Sequence, residues 1–275
     1  MMGHLSMIVG AIALAVGLRY LWQPTRPATV LSFFLVPPLL LLMTAIAIVV
    51  MGPHGHMVSH LEGWFCYGLA WSFIAAAMIT WGHLAGQTWQ ARQRTDVCQQ
   101  DRVNGYVASI VDSTQLFSAQ VGLWQPRLIL SQGLIDQLSP EKLTAVLTHE
   151  AAHVHYRDTF WFFWLAGLRR LTVWLPYSET LWQELLLLRE LRADRWATQF
   201  VDRLVLAEAL VEVIAAPLAA DTCAAFSCAV PSRLSRRIDA LLVEPTAAPQ
   251  FDPGPLQWTE MCLSLAPLLT IPFHH

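Results

Sequence analysis

His149 and His153 stand four residues apart with Glu150 directly after the first, an H-E-x-x-H pattern. At 3.6 residues per turn, positions four apart fall on one helical face, so the two imidazoles can converge on a single metal ion. Glu150 is rotated off that axis. It suits a water on the metal better than the metal itself, which is the general-base position in such sites. The residues before the motif encode the helix it needs. Ser139-Pro140 is an N-cap followed by a first-turn proline, and Glu141 puts a carboxylate where the helix dipole favours one. Leu143, Val146, Leu147 and Val154 then recur at helical spacing and would seat the helix in a core.

A catalytic zinc needs a third protein ligand and one position left for water. A histidine six residues beyond His153 would serve in one subclass, but Thr159 stands there and Tyr156 replaces the glycine of that pattern. His155, two residues along, points to nearly the opposite side of the helix. The best candidate is Glu190, in the strongly helical stretch Leu186 to Asp194. Asp194 lies one turn later on the same face, where a carboxylate could accept the ring N–H of a metal-bound histidine. Ala193 and Ala197 are small enough for this helix to approach the first closely. In isolation, Glu190 with Arg189 and Arg192 would read as a solvated charged face; beside H-E-x-x-H the ligand reading is preferred. Glu179, Glu184 and Glu208 stay open as alternatives, as does Asp194 as a direct ligand.

The run from Gly122 to Ser131, a helix ending in H-E-x-x-H, then Arg157-Asp158, Trp174-Leu175-Pro176, Glu190-x-x-Ala193-Asp194 and Arg233 to Ile238 resemble the BlaR/MecR-type membrane metallopeptidases. Prenyl-protein-processing and heat-shock quality-control membrane zinc proteases share much of the pattern. The resemblance spans roughly residues 100 to 240. It implies one zinc ion per chain on His149, His153 and Glu190, Glu150 as the base, and Asp194 supporting a ligand from behind. It also implies a protein or peptide substrate, with a winged-helix transcriptional repressor as one such partner. Receptors of that family carry a penicillin-recognising domain after the last span. This chain stops where that domain would begin, so direct antibiotic sensing is not expected.

Composition points independently to a bilayer: 55% of residues are hydrophobic, 13% are charged, and there are twelve Trp. Met1 to Leu18 carries no formal charge and ends at Arg19, Tyr20 and Trp22, an interfacial cluster; with no basic residues before it, a cleaved signal peptide is the poorer reading. Ala28 to Met51 is long enough to cross, with Pro37-Pro38 kinking it, and Gly63 to Ala91 is again free of Lys, Arg, Asp and Glu. Arg19 and Arg26 lie between the first two spans, none between the next two, and Arg92, Arg94 and Arg102 after the third. The positive-inside rule then puts the metal motif on the cytoplasmic side of the plasma membrane.

The expected architecture is a mainly α integral membrane protein. Three transmembrane helices occupy residues 1–91, a zincin-like α+β metallopeptidase domain with a small β-sheet follows over 92–250, and a C-terminal hydrophobic segment over 251–275. Tyr106 to Val111, Leu116 to Val121 and Arg127 to Leu130 read as short strands, and either 116–121 or 127–130 is expected at a sheet edge, free to pair with an extended substrate. Thr159 to Leu168 is apolar but cut short by Arg169-Arg170, a segment that either dips into the bilayer or is buried in the soluble domain. Met261 to Phe273 is a short final span or a membrane-surface helix.

Cys66, Cys98, Cys223, Cys228 and Cys262 are scattered and odd in number, so reduced thiols are expected. His54, His56 and His60 read as solvated loop histidines. There is no phosphate loop or dinucleotide fingerprint, and a formal charge of -3 argues against direct nucleic-acid binding. The reading that results is a membrane zinc endopeptidase acting in regulated proteolysis. Quality-control turnover of membrane proteins is the nearest alternative, and a non-catalytic zinc-containing transducer the more distant one. Among electrophiles for the oxyanion, His155, Tyr156, Tyr177 and Arg192 are not ranked by the sequence.

Overall fold

The computed structural model describes residues 3–21, 29–54, 60–96, 98–215, 230–243 and 264–273. They form a mostly helical chain with one small mixed sheet. The chain divides into two compact units, one of Met1–Leu84, Trp164–Leu185 and Pro249–His275, the other of Ala85–Phe163 and Leu186–Ala248.

The first unit is built on α1 (His4–Tyr20), α2 (Val30–Met51) and the beginning of α3 (His60–Asp96). Helices α2 and α3 are long and apolar enough to cross a membrane, whereas α1 has 17 residues, under the roughly 20 that a span needs. Ala11 and Ala15 of α1 pack on Leu40 and Leu41 of α2 together with Leu175, and Ala45, Ile48 and Met51 pack on Ala70 of α3. Small side chains on one helix against large ones on the next let the backbones approach closely. Pro38 has no N–H to give to the carbonyl of Phe34. The guanidinium of Arg19, fully buried, donates to that oxygen at 3.4 Å and lies over the Phe34 ring. A 3-10 helix (Ala266–Phe273) covers part of the segment expected to be a final span; residues 249–263, and with them Met261, lie outside the described residues.

The second unit carries the sheet, in the order β1 (Gln99–Val103), β2 (Tyr106–Val111), β4 (Arg127–Ser131), β3 (Ser118–Val121). Strand β1 was not expected, because Gln-Gln-Asp-Arg-Val lacks alternating apolar residues. It forms through the two-residue Asn104-Gly105 turn, whose φ values of 48° and 87° match a tight hairpin with positive φ at both positions. Strands β2 and β4 run parallel and β3 returns antiparallel to β4. Of the two segments expected at an edge, only β3 is there. The other, β4, is bonded on both sides, because its continuous Leu-Ile-Leu run is buried between neighbours rather than alternating in and out.

Ser131 caps α4 (Gln132–Gln137) by accepting from the backbone of Leu134, and Ser139 caps α5 (Pro140–His155) by accepting from Lys142. The apolar stripe of α5 packs into the core: Leu143, Val146 and Leu147 meet Leu128 and Leu130 of β4 and Leu134 of α4. Leu147 is fully buried, so Leu147→Ala should cost about 2–5 kcal/mol. On its other side α5 meets α8 (Arg203–Ala215) through Ala145, Leu206 and Leu210, and α8 in turn packs on α9 (Val230–Leu242), whose Leu241 joins the same cluster. Ala193 and Ala197 of α7 (Ser178–Ala197) are both fully buried, and Ala197 joins the cluster around Ala145, the close helix approach their size permits. Residues 159–168 fall in α6 (Asp158–Leu171), a 14-residue helix with Trp161 and Trp164 exposed and Leu165 and Leu168 buried.

Candidate metal centre

Helix α5 stacks its two imidazoles as the four-residue spacing requires, with His149 Nε2 and His153 Nε2 3.2 Å apart. Helix α7 brings Glu190 to them, Oε2 at 3.4 Å from His149 Nε2 and Oε1 at 3.9 Å from His153 Nε2. One donor atom from each of the three residues lies within 4.8 Å of the others. Tetrahedral zinc with bonds of about 2.0–2.1 Å needs donors roughly 3.3–3.4 Å apart, a spacing met by the two imidazoles and by His149 with Glu190, while Glu190 stands farther from His153.

Ring orientation supports the same use. His153 Nδ1 donates to Asp158 Oδ2 at 2.7 Å, and His149 Nδ1 lies 2.8 Å from Asp194 Oδ1. The second approach is close but falls outside regular hydrogen-bond geometry. Carboxylates only accept, so each Nδ1 carries a proton and each Nε2, on the side of Glu190, is the nitrogen left to meet a cation. Two imidazole nitrogens and a carboxylate oxygen, converging with their orientations fixed from behind, fit a zinc ion.

Two arginines stand behind the two aspartates. Arg237 of α9 donates from Nε to Asp194 Oδ2 and from Nη2 to Asp194 Oδ1, both at 2.7 Å, and its Nη1 lies 3.3 Å from Glu190 Oε2. Arg192 pairs with Asp158 Oδ1 while its guanidinium lies 4.3 Å from the centre of the Tyr156 ring. Arg189 donates from Nε and Nη2 to Glu190 Oε1 at 2.9 and 2.7 Å.

These charges decide the ionisation states. Burial opposes a charge on His149, but Asp194 and Glu190 outweigh it and hold the imidazole up at about 9 in the ion-free chain, so a cation binding there displaces a proton. Burial likewise works against the Glu190 carboxylate, yet His149, Arg189 and Arg237 keep its pKa well below the ordinary range. Asp194 is held down in the same way, chiefly by Arg237 against burial.

Glu150 is buried on α5 beside strand β3. Its Oε1 accepts from Ser118 Oγ at 2.6 Å, and its backbone carbonyl accepts from Gln120 Nε2 at 3.4 Å. The carboxylate expected to act as base is thus tied to the one sheet edge next to α5. A cavity of about 400 Å³ lies between the sheet and Leu147, Ala151 and Val154 of α5. Helical spacing sets those three residues on the face turned away from His149 and His153, so this cavity is separate from the metal centre.

Of the other acidic alternatives, Glu208 pairs with Lys142 and Glu179 with Arg169, and Glu184 is not in the cluster with the two histidines. His155 stacks on Trp196. Arg189 and Arg192 are not a solvated face but partners of Glu190 and Asp158. Sequence reasoning assigned no role to Asp158, Arg237 or Ser118. A signal existed for Asp158, which opens the next helix three residues after the one carrying His153 ends. Cys66 and Cys98 are free thiols; Cys223, Cys228 and Cys262 lie outside the described residues, as does His56, while His54 and His60 have ring centres 5.8 Å apart beside Trp64.

No curated protein and no solved structure matches the chain. The sequence model of peptidase family M48 matches residues 90–187, which carry all four strands and the whole of α5 and end three residues before Glu190. Over that stretch, with His149, Glu150 and His153 inside it, the chain is similar to a family of peptidases.

Proposed function

We propose that this chain is a membrane-anchored, zinc-dependent endopeptidase that cuts protein substrates at the cytoplasmic face. The observation that carries the reading is the convergence of His149 Nε2, His153 Nε2 and a Glu190 oxygen, each histidine braced by its own aspartate. The similarity to M48 peptidases, which are typically zinc-dependent, supports the same chemistry. Anchoring rests on α2 and α3, and orientation on the arginines flanking the apolar segments.

Zinc held by His149, His153 and Glu190 would supply an acidified water and a Lewis acid for the scissile carbonyl. Glu150 then has two duties: it takes a proton from the attacking water and later delivers it to the departing amine. Ser118 donates to one of its oxygens, fixing the carboxylate so that the proton is handled at the other. The outer edge of β3 offers unpaired backbone groups to an extended peptide, which would lie alongside the base that β3 holds. Arg192 and Tyr156, stacked together beside the His153–Asp158 pair, are the best placed of the four electrophile candidates to meet a developing oxyanion. A buried, oriented Glu150 has no purpose in a purely structural zinc site, which argues against a non-catalytic transducer.

In regulated proteolysis of the BlaR/MecR type, the substrate would be a winged-helix repressor. The test uses the full chain in native membranes. Wild type should hold about one zinc per chain and cleave substrate; Glu150→Ala should keep the metal, lose cleavage and accumulate uncut substrates. Equal cleavage by Glu150→Ala would reject the mechanism. A single accumulated DNA-binding protein would support regulated cleavage, and a broad set of damaged membrane proteins would replace that role with turnover.

A further inference from the structure

We infer that Arg237 is a positioning residue of the metal centre, fixing His149 and Glu190 together through one closed ring of contacts. The inference rests on the metal-site reading above and adds a residue from a helix outside the M48-matched stretch.

The ring can be followed atom by atom. Arg237 Nη2 donates to Asp194 Oδ1, the oxygen 2.8 Å from His149 Nδ1. Arg237 Nη1 lies 3.3 Å from Glu190 Oε2, the oxygen 3.4 Å from His149 Nε2. One guanidinium therefore meets the two carboxylate oxygens that bracket the two nitrogens of His149. The remaining nitrogen, Nε, closes a bidentate grip on Asp194.

Physical need for such a clamp follows from α7. Glu190 and Asp194 are one turn apart on the same face, Asp194 buried and Glu190 half-buried, so their like charges repel and would turn the side chains apart. A planar, permanently charged fork between them cancels the repulsion and prescribes where each oxygen points. Lysine cannot do this: an ammonium is a point charge without the fixed spread of the fork, so it can neutralise the pair but not hold both oxygens in register. Arg237 is itself buried, and Asp194 and Glu190 more than offset the cost of burying its charge. The plainer role, tethering α9, already has a separate anchor in Leu241, buried in the cluster with Leu206 and Leu210.

The experiment compares Arg237→Lys, Arg237→Gln and Leu241→Ala in the full-length protein purified in detergent. The readouts are zinc content, the rate of zinc loss to a chelator, and the visible absorption spectrum of the cobalt(II)-substituted protein. Both Arg237 variants should lose zinc about 10–100-fold faster and shift the cobalt bands, whereas Leu241→Ala should lower the melting temperature with the cobalt spectrum unchanged. Where Arg237→Gln fails to fold, Arg237→Lys carries the test. Wild-type zinc retention and an unchanged cobalt spectrum in Arg237→Lys would overturn the inference, as would an equal spectral change in Leu241→Ala. The underlying reading fails separately: wild type would then hold no zinc, or His149→Ala and His153→Ala would keep it.

Discussion

The two histidines of the centre are backed by the same sequence of groups, imidazole to aspartate to arginine, built to different depths. Behind His149 stand Asp194 and Arg237, whose side chains are 3% and 9% exposed, and the arginine grips both carboxylate oxygens and reaches Glu190 as well. Behind His153 stands Asp158, also 3% exposed, but its Arg192 is 28% exposed and leans on Tyr156. Burial strengthens each charge contact and raises the penalty for breaking it, while water near an open arginine can replace what is lost. The His149 side should therefore behave as a fixed wall and the His153 side as an adjustable one.

The sharpest way to break this contrast is Asp194→Ala. It leaves a buried guanidinium without its main partner, a change that costs about 3–5 kcal/mol. The melting temperature should fall steeply and zinc content with it. A stable, zinc-loaded Asp194→Ala protein would show that the His149 side is not a wall.

Metal removal gives the next largest effect. In chelator-treated protein His149 is held at about 9, above its ordinary 6.5. A group raised on folding stabilises fully below its unfolded value and loses that contribution as pH rises through its folded value. The stripped protein should thus lose at most about 3 kcal/mol between pH 6.5 and 9, read as a falling melting temperature. Zinc-loaded protein should show no such decline from this group, because the ion then holds the nitrogen the proton would take. Parallel pH profiles for the two forms would remove His149 from the centre.

Asp158→Asn comes third. The amide can still accept from His153 Nδ1 but loses its charge, so zinc affinity should weaken about 10–100-fold with little loss of fold. The comparison is with Asp194→Asn, which should cost more of both. If Asp158→Asn proves the more damaging of the two, the ranking of the two sides is reversed.

How much of this could be read without coordinates depended on the reach of each relation. The pair His149 and His153 was legible because four residues of helix suffice to bring the rings together. Glu190 and Asp194 were legible because helical spacing relates them to each other and the motif called for an acid. Asp158 was missed since its approach to His153 depends on the reversal after α5, where Arg157 has φ 54°. Arg237 was missed because Arg233, Arg236 and Arg237 are chemically alike in sequence, and only the packing of α9 decides which one is buried. The sheet divides in the same way. Strand β2 was read from its apolar residues, β1 was passed over for lacking them although Asn104-Gly105 signals a hairpin, and the interior position of β4, consistent with its unbroken Leu-Ile-Leu run, is decided by long-range pairing with β2 and β3.

The smallest expected effect sharpens the comparison most finely, because one chemical change is made on both sides. Arg192→Lys keeps a positive charge near Asp158 and loses the planar fork and the stacking on Tyr156, a cation–π contact worth about 0.5–1 kcal/mol when exposed. Solvent screens the Asp158 pair at this partly open position, and a flexible ammonium can still follow the carboxylate. Zinc retention and the cobalt spectrum should stay near wild type, with a small drop in melting temperature. The identical replacement at position 237 should disturb both, since there the fork is buried and must touch two acids at once. Equal responses at the two positions would mean that charge alone, not the geometry of the buried fork, separates the fixed side from the adjustable one.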